Sequence, residues 1–219
     1  MKTIVLIDNA SGGHRDAFMR YFAKACLEIN TRVICIYPNT TTIKDWISVN
    51  ATQHISQITY IENTCTYSPF SGMRALNEPI GVARYWKNIA RFLKKVEEDV
   101  QQKIDFVYFN WIDSQMANNI PPFVIDWVFP YKWSGLYFHP RVFRKFPEIL
   151  EQPLQFRDID SVFGAKNCVA ITIHDEGILE RYQKRTKKTT ILFPKLPTSP
   201  SRILNFHLLI ELKKKPMEE

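Results

Sequence analysis

Residues Thr3-Ile4-Val5-Leu6-Ile7-Asp8, followed by Asn9-Ala10-Ser11-Gly12-Gly13-His14, decide the fold class. The first run is apolar and rich in β-branched residues, with no polar residue alternating through it. That pattern predicts a strand buried on both faces, as in parallel sheets covered by helices on each side. The residues from Asn9 to Gly13 form a turn. From His14 to about Asn30, Phe18, Phe22, Ala25 and Ile29 recur at helical spacing and fall on one face.

The same alternation continues along the chain. Arg32–Tyr37 reads as a second strand stopped by Pro38, Ile55–Ile61 as a third, and 62–78 as a loop rich in Asn, Thr, Ser and Pro. Pro79 suits the first position of a helix in which Val82, Trp86, Ile89, Leu93, Val96 and Val100 share a face. Asp105–Trp111, Gly135–His139, Cys168–His174 and Thr189–Phe193 read as further strands, with a helix at Glu176–Lys184. Strands alternating with helices predict an α/β fold, a single Rossmann-like domain whose mainly parallel sheet is flanked by helices. The domain pattern covers residues 1–195. Residues 196–219 form a basic C-terminal tail, irregular or helical, that begins with the linker-like Lys195–Ser201.

Charge follows the same division. The chain holds 29 Lys and Arg against 22 Asp and Glu, a net +7 over 219 residues. Residues 1–180 contain 19 of each sign, and residues 181–219 contain 10 basic and 3 acidic. A neutral body argues against nucleic acid as the partner. Within the tail, residues 202–215 combine Ile203, Leu204, Phe206, Leu208, Leu209, Ile210 and Leu212 with Lys213-Lys214-Lys215, which allows weak membrane association. Cys26, Cys35, Cys65 and Cys168 are widely spaced with no CxxC pair, which predicts free thiols in a cytoplasmic protein. No metal site is expected, because no His, Cys, Asp and Glu cluster has ligand spacing. Asp158-Ile159-Asp160 matches a DxD pattern but precedes a short helix, where capping accounts for it.

In open α/β sheets ligands gather beyond the carboxyl ends of the strands, so residues just after each strand are the candidates. Ser11, Gly12, Gly13 and His14 follow the first strand, and glycines there let backbone N–H groups approach a ligand. The stretch is neither GxGxxG nor a P-loop, which argues against a tight dinucleotide or triphosphate cradle. His139 and Arg141 follow another strand, where an imidazole can hydrogen-bond a hydroxylated ligand or act as a base. His174 and Asp175 end a third, with helix capping by Asp175 as the alternative. Asn110 follows a fourth and could contact a hydroxyl group.

These features together resemble the N-terminal domain of GT-B-fold glycosyltransferases. The resemblance rests on the opening strand with Ser11-Gly12-Gly13-His14 and a long helix, and on Gly135–Arg141. It rests also on Val169–Glu176, followed by a helix and Ile191-Leu192-Phe193-Pro194. It spans residues 2–195. In that family the N-terminal domain binds the acceptor, the C-terminal domain binds a nucleotide-sugar donor, and transfer takes place between them, commonly without a metal or other cofactor. The resemblance implies that Gly12, Gly13 and His14 face the acceptor and the donor phosphates. It implies that His139 lies beside the acceptor as a polar contact or catalytic base; Ser11, Asn110, Arg141, His174 and Asp175 are the further candidates for acceptor binding, from their places after the strands. A sugar or glycan acceptor is then the partner, and a nucleotide-sugar donor binds only with a C-terminal domain or a partner chain. The donor domain has no counterpart in these residues, so the resemblance carries the expectation of a truncated or split product, inactive alone. It would be cytoplasmic, or peripheral at the inner membrane face. The alternative is a nucleotide- or sugar-binding or peripheral membrane-binding module without catalysis.

Overall fold

The computed structural model describes residues 1–65, 74–112, 120–138, 162–183 and 188–193. His139, Arg141, the Asp158–Asp160 pair and the whole of 194–219, including the basic tail, lie outside the described residues.

Among the described residues, seven parallel strands form one sheet in the order β3-β2-β1-β4-β5-β6-β7. They are β1 (Thr3–Ile7), β2 (Arg32–Tyr37), β3 (Ile58–Glu62), β4 (Phe106–Phe109), β5 (Trp133–Tyr137), β6 (Cys168–Ile173) and β7 (Thr190–Leu192). The helices are α1 (His14–Glu28), α2 (Thr40–Asn50), α3 (Arg74–Val100), α4 (Pro122–Val128) and α5 (Glu176–Gln183). The chain winds outward from β1 to β3, then returns through α3 to place β4 against the other side of β1. Residues Ile4↔Phe106 to Ile7↔Phe109 are in register there. This reversal makes the carboxyl ends of β1 and β4 the topological switch point, where an α/β sheet opens a crevice.

The apolar run of β1 is divided between two cores by the two-residue period of a strand. Val5 and Ile7 pack with α3, through Val82, Trp86, Ile89 and Leu93, and with Ile125 of α4. Ile4 and Leu6 pack on the opposite face with Phe18, Phe22 and Leu27 of α1 and with Ile43 and Ile47 of α2. The sheet is therefore covered on both faces, as the uninterrupted strand predicts. Trp86 anchors one layer, its ring 4.8 Å from Trp133, 5.0 Å from Phe109 and 5.0 Å from Phe129.

Several boundaries differ from those the sequence suggests. Helix α3 begins at Arg74, so Pro79 lies in its second turn and part of the expected 62–78 loop is helical. A proline near a helix start forfeits one backbone hydrogen bond without ending the helix. Strand β3 starts at Ile58, because Ile55 falls in a 3-10 helix over Thr52–Gln57 and is 47% exposed. Helix α2 has no counterpart in the sequence pattern: only Ile43 and Ile47 are buried on it, behind three threonines. Helix α1 stops at Glu28, where Asn30 adopts φ 57° and Thr31 Oγ1 donates to the Cys26 carbonyl at 2.6 Å. That left-handed residue is a common helix terminator.

Candidate functional site

Asp8 leaves the carboxyl end of β1 and is almost wholly buried, at 1% exposure. A carboxylate in that position needs compensation, and the fold supplies it from several directions. One oxygen, Oδ1, accepts the backbone N–H groups of Asn9 at 2.8 Å and Ala10 at 3.2 Å, and pairs with the guanidinium of Arg15. The other, Oδ2, accepts from Asn110 Nδ2 at 2.7 Å. The Asp8 backbone carbonyl accepts from Asn63 Nδ2, just beyond β3. Burial pushes the Asp8 carboxyl above its ordinary value, although Arg15, Asn110 and the two N–H groups all pull the other way.

Asn110 follows β4 and is fully buried. Its Nδ2 also reaches the Arg15 carbonyl at 3.2 Å, so one side chain ties the ends of β1 and β4 to the first turn of α1. Above this floor, Arg15 lays its guanidinium 4.4 Å from the centre of the Trp111 ring. Trp111 stacks on Phe138 at 4.4 Å, and Phe138 lies 4.7 Å from His174. These residues follow β4, β5 and β6 in turn. They make a half-buried row of one cation and three rings along the carboxyl edge of the sheet. Phe18 of α1 closes the row from below, 5.9 Å from Phe138 and 6.4 Å from His174.

The loop over Ser11, Gly12 and Gly13 is exposed, as is His14, the first residue of α1. Gly12 has φ 101°, and Gly13 has φ 57° with ψ −132°. Both conformations disfavour any side chain, while a Cβ at either position would meet nothing within 4 Å. The glycines are therefore required by backbone shape. Asp16 fixes the loop by accepting the Gly12 N–H at 2.7 Å and the Tyr37 hydroxyl.

Of the residues the sequence singles out, Ser11, Gly12, Gly13 and His14 rim the crevice, Asn110 forms its floor and His174 ends the aromatic row. Asp175 accepts the Ile178 N–H at 3.0 Å and so caps α5. Sequence reasoning missed Asp8, Arg15, Asp16, Trp111 and Phe138. The signal for Asp8 was present, since an acid that closes an apolar strand ahead of a glycine turn has little access to water. Among the described residues, no group of three His, Cys, Asp or Glu side chains could hold a metal ion. Among them, too, no helix is long and apolar enough to cross a membrane.

Neither a protein-family model nor a curated protein sequence matches the chain. Solved structures align over most of the chain. A UDP-glucose:anthocyanidin 3-O-glucosyltransferase in complex with UDP aligns at 8% identity and TM-score 0.46, over 90% of this chain and 54% of its own. Anabaena HepE in complex with UDP and glucose aligns at 13% identity and TM-score 0.43, over 97% and 50%. A metagenomic short-chain oxidoreductase in complex with NADP aligns at 7% identity and TM-score 0.39, over 87% and 96%. The chain spans about half the length of the first two of these structures.

Proposed function

We propose that this chain is the acceptor-side unit of a GT-B-type glycosyltransferase and acts opposite a donor-binding unit. The observation that carries the proposal is the crevice at the β1–β4 switch point. A buried Asp8–Asn110 floor holds Arg15 in place, and the half-buried Arg15–Trp111–Phe138–His174 row lies along the carboxyl edge of the sheet that also carries the exposed glycine loop. Aromatic faces with a few fixed polar groups are what a hydroxylated organic ligand needs for grip and orientation. We assign His14, exposed on the rim, and His174, at the end of the row, as hydrogen-bonding groups for acceptor hydroxyls. We assign His139, Ser11 and Arg141 to the same acceptor site, with His139 as the base. Stabilisation of the departing diphosphate belongs to the donor unit.

A second function, a dinucleotide-binding module, is favoured by one observation, the strand order itself. The order β3-β2-β1-β4-β5-β6 is that of dinucleotide-binding sheets. The Gly12-Gly13 turn, which lacks the GxGxxG spacing, argues against it.

Ligand-induced stabilisation separates the two. Mono- and oligosaccharides, hydroxylated aromatic compounds, nucleotide sugars and NADP are titrated singly while the melting temperature is followed. The acceptor classes are expected to give saturable stabilisation that weakens in Arg15→Ala and His14→Ala. Saturable stabilisation by NADP alone favours the second function, and a flat response to every compound rejects both.

A further inference from the structure

Arg15 and Asp16 are neighbours in the first turn of α1, and their side chains serve opposite sides of the glycine loop. Arg15 reaches Asp8 and the Trp111 ring, towards β4. Asp16 reaches the end of β2, where one of its oxygens, Oδ1, accepts the Tyr37 hydroxyl and the Gly12 N–H, the latter at 2.7 Å. The β2 side of the loop therefore has a polar group of its own, separate from the crevice floor and the aromatic row.

The second oxygen of Asp16 is open. Asp16 is half-buried, yet Oδ2 has no donor among the described residues and is not sealed from solvent. No Lys, Arg or His among them forms an ion pair with this carboxylate. A carboxylate oxygen in that state accepts hydrogen bonds and repels other anions.

The donors of the loop point the same way. A phosphate at a helix start is held by backbone N–H groups. Here the Asn9 and Ala10 N–H groups are taken by Asp8, and the Gly12 N–H by Asp16. Asp16 also supplies, in the first turn, the negative charge that a helix N-terminus attracts. Two of the chain's own carboxylates thus occupy donors that a phosphate would use. A hydroxyl group makes no such demand, because it donates to a free carboxylate oxygen and carries no charge.

We propose that Asp16 forms a subsite for a neutral hydroxyl group of the ligand, between the start of α1 and the end of β2, and keeps phosphate out of the glycine loop. Resting on the acceptor-side reading, this assignment gives the loop to the hydroxylated partner and leaves the donor phosphates to the donor-binding unit.

Amide resonances of Gly12 and Gly13 in the isotope-labelled full chain are followed while glucose, glycerol and inorganic pyrophosphate are titrated singly. The native chain is expected to show saturable shifts with glucose or glycerol and none with pyrophosphate. Asp16→Asn keeps an oxygen for Gly12 and Tyr37 and puts an N–H donor in place of the open one. It should bind the polyols about tenfold more weakly and should admit pyrophosphate. The proposal is overturned if pyrophosphate shifts the native loop as readily as the polyols, if neither polyol shifts it, or if Asp16→Asn leaves either response unchanged. Saccharide binding that weakens in Arg15→Ala but not in Asp16→Asn overturns this subsite while the acceptor-side reading stands. Should Asp16→Asn fail to fold by circular dichroism, Asp16→Glu decides, because it keeps the charge and moves the oxygens by one methylene. A weaker polyol response with pyrophosphate still excluded supports the subsite, and an unchanged polyol response overturns it.

Discussion

Asn110 Nδ2 donates to Asp8 Oδ2 at 2.7 Å across 102 positions of sequence, and both groups are buried at the carboxyl ends of adjacent strands. The pair is the floor of the crevice and also a cross-link between the two windings of the sheet. Asn110→Leu removes the donor and leaves the buried carboxylate short of a partner. Such a loss costs about 2–4 kcal/mol. Urea unfolding should show that decrease in stability with an unchanged denaturant slope; a change under half a kcal/mol, on the order of an ordinary surface substitution, would contradict the buried pairing.

The carboxyl of Asp8 is raised above its ordinary 3.8, with desolvation the largest cause. An acid whose folded value is raised contributes stability that is fully present below the unfolded value and is lost as pH rises through the folded one. The melting temperature of the native chain minus that of Asp8→Asn should therefore fall as pH is raised from about 4 towards neutrality. A difference that grows with pH would mean that Arg15 and Asn110 outweigh desolvation.

Gly13→Ala tests whether the loop glycines serve backbone shape or close packing. The site is open, so sterics beyond the residue itself predict no cost. Its φ and ψ lie where only glycine is at ease, which predicts about 1–3 kcal/mol of destabilisation. Equilibrium unfolding distinguishes these outcomes directly.

All four cysteines are free. Burial pushes the Cys35 and Cys168 thiols up to about 12, raises Cys26 further and raises half-buried Cys65 as well. The thiolate is the reactive form. A disulfide reagent at neutral pH should thus modify Cys65 slowly and the other three only after unfolding. Rapid modification of all four under native conditions would show that the cores open easily.

Asp175 is engaged in capping α5, so Asp175→Ala should lower stability by about 0.5–2 kcal/mol and Asp175→Ser should restore most of it. Thermal melts with and without a crevice ligand separate this role from ligand contact. A contact through the carboxylate would make Asp175→Ser lose ligand stabilisation while keeping the cap.

Much of the scaffold was legible because its strands are long apolar runs. Arg32–Tyr37 has the boundaries expected of it, and β1, β4 and β6 differ by a residue or two at their ends. Helix α2 was not legible, because a helix that buries only two side chains leaves a weak period and its threonines favour other structures. The crevice was legible in its rim, in Asn110 of its floor and in His174 at the end of its row, and not in the residues between. Turn glycines and terminal histidines announce themselves by type, whereas Asp8, Arg15, Trp111 and Phe138 acquire meaning from one another. Asp8 and Asn110 become partners through strand order, and local spacing does not encode that order.

The placement of the crevice on the β1–β4 seam has a consequence for how occupancy and folding are linked. The strands on one side, β3-β2-β1, come from the first 62 residues, and those on the other begin at Phe106. Neither group alone possesses the floor, because Asp8 and Asn110 are contributed one from each. The crevice therefore comes into being only when the two groups join, and it vanishes when they part. A molecule resting there acts as a clasp, and it holds the sheet against dividing along its middle by an amount that grows with its concentration relative to its dissociation constant.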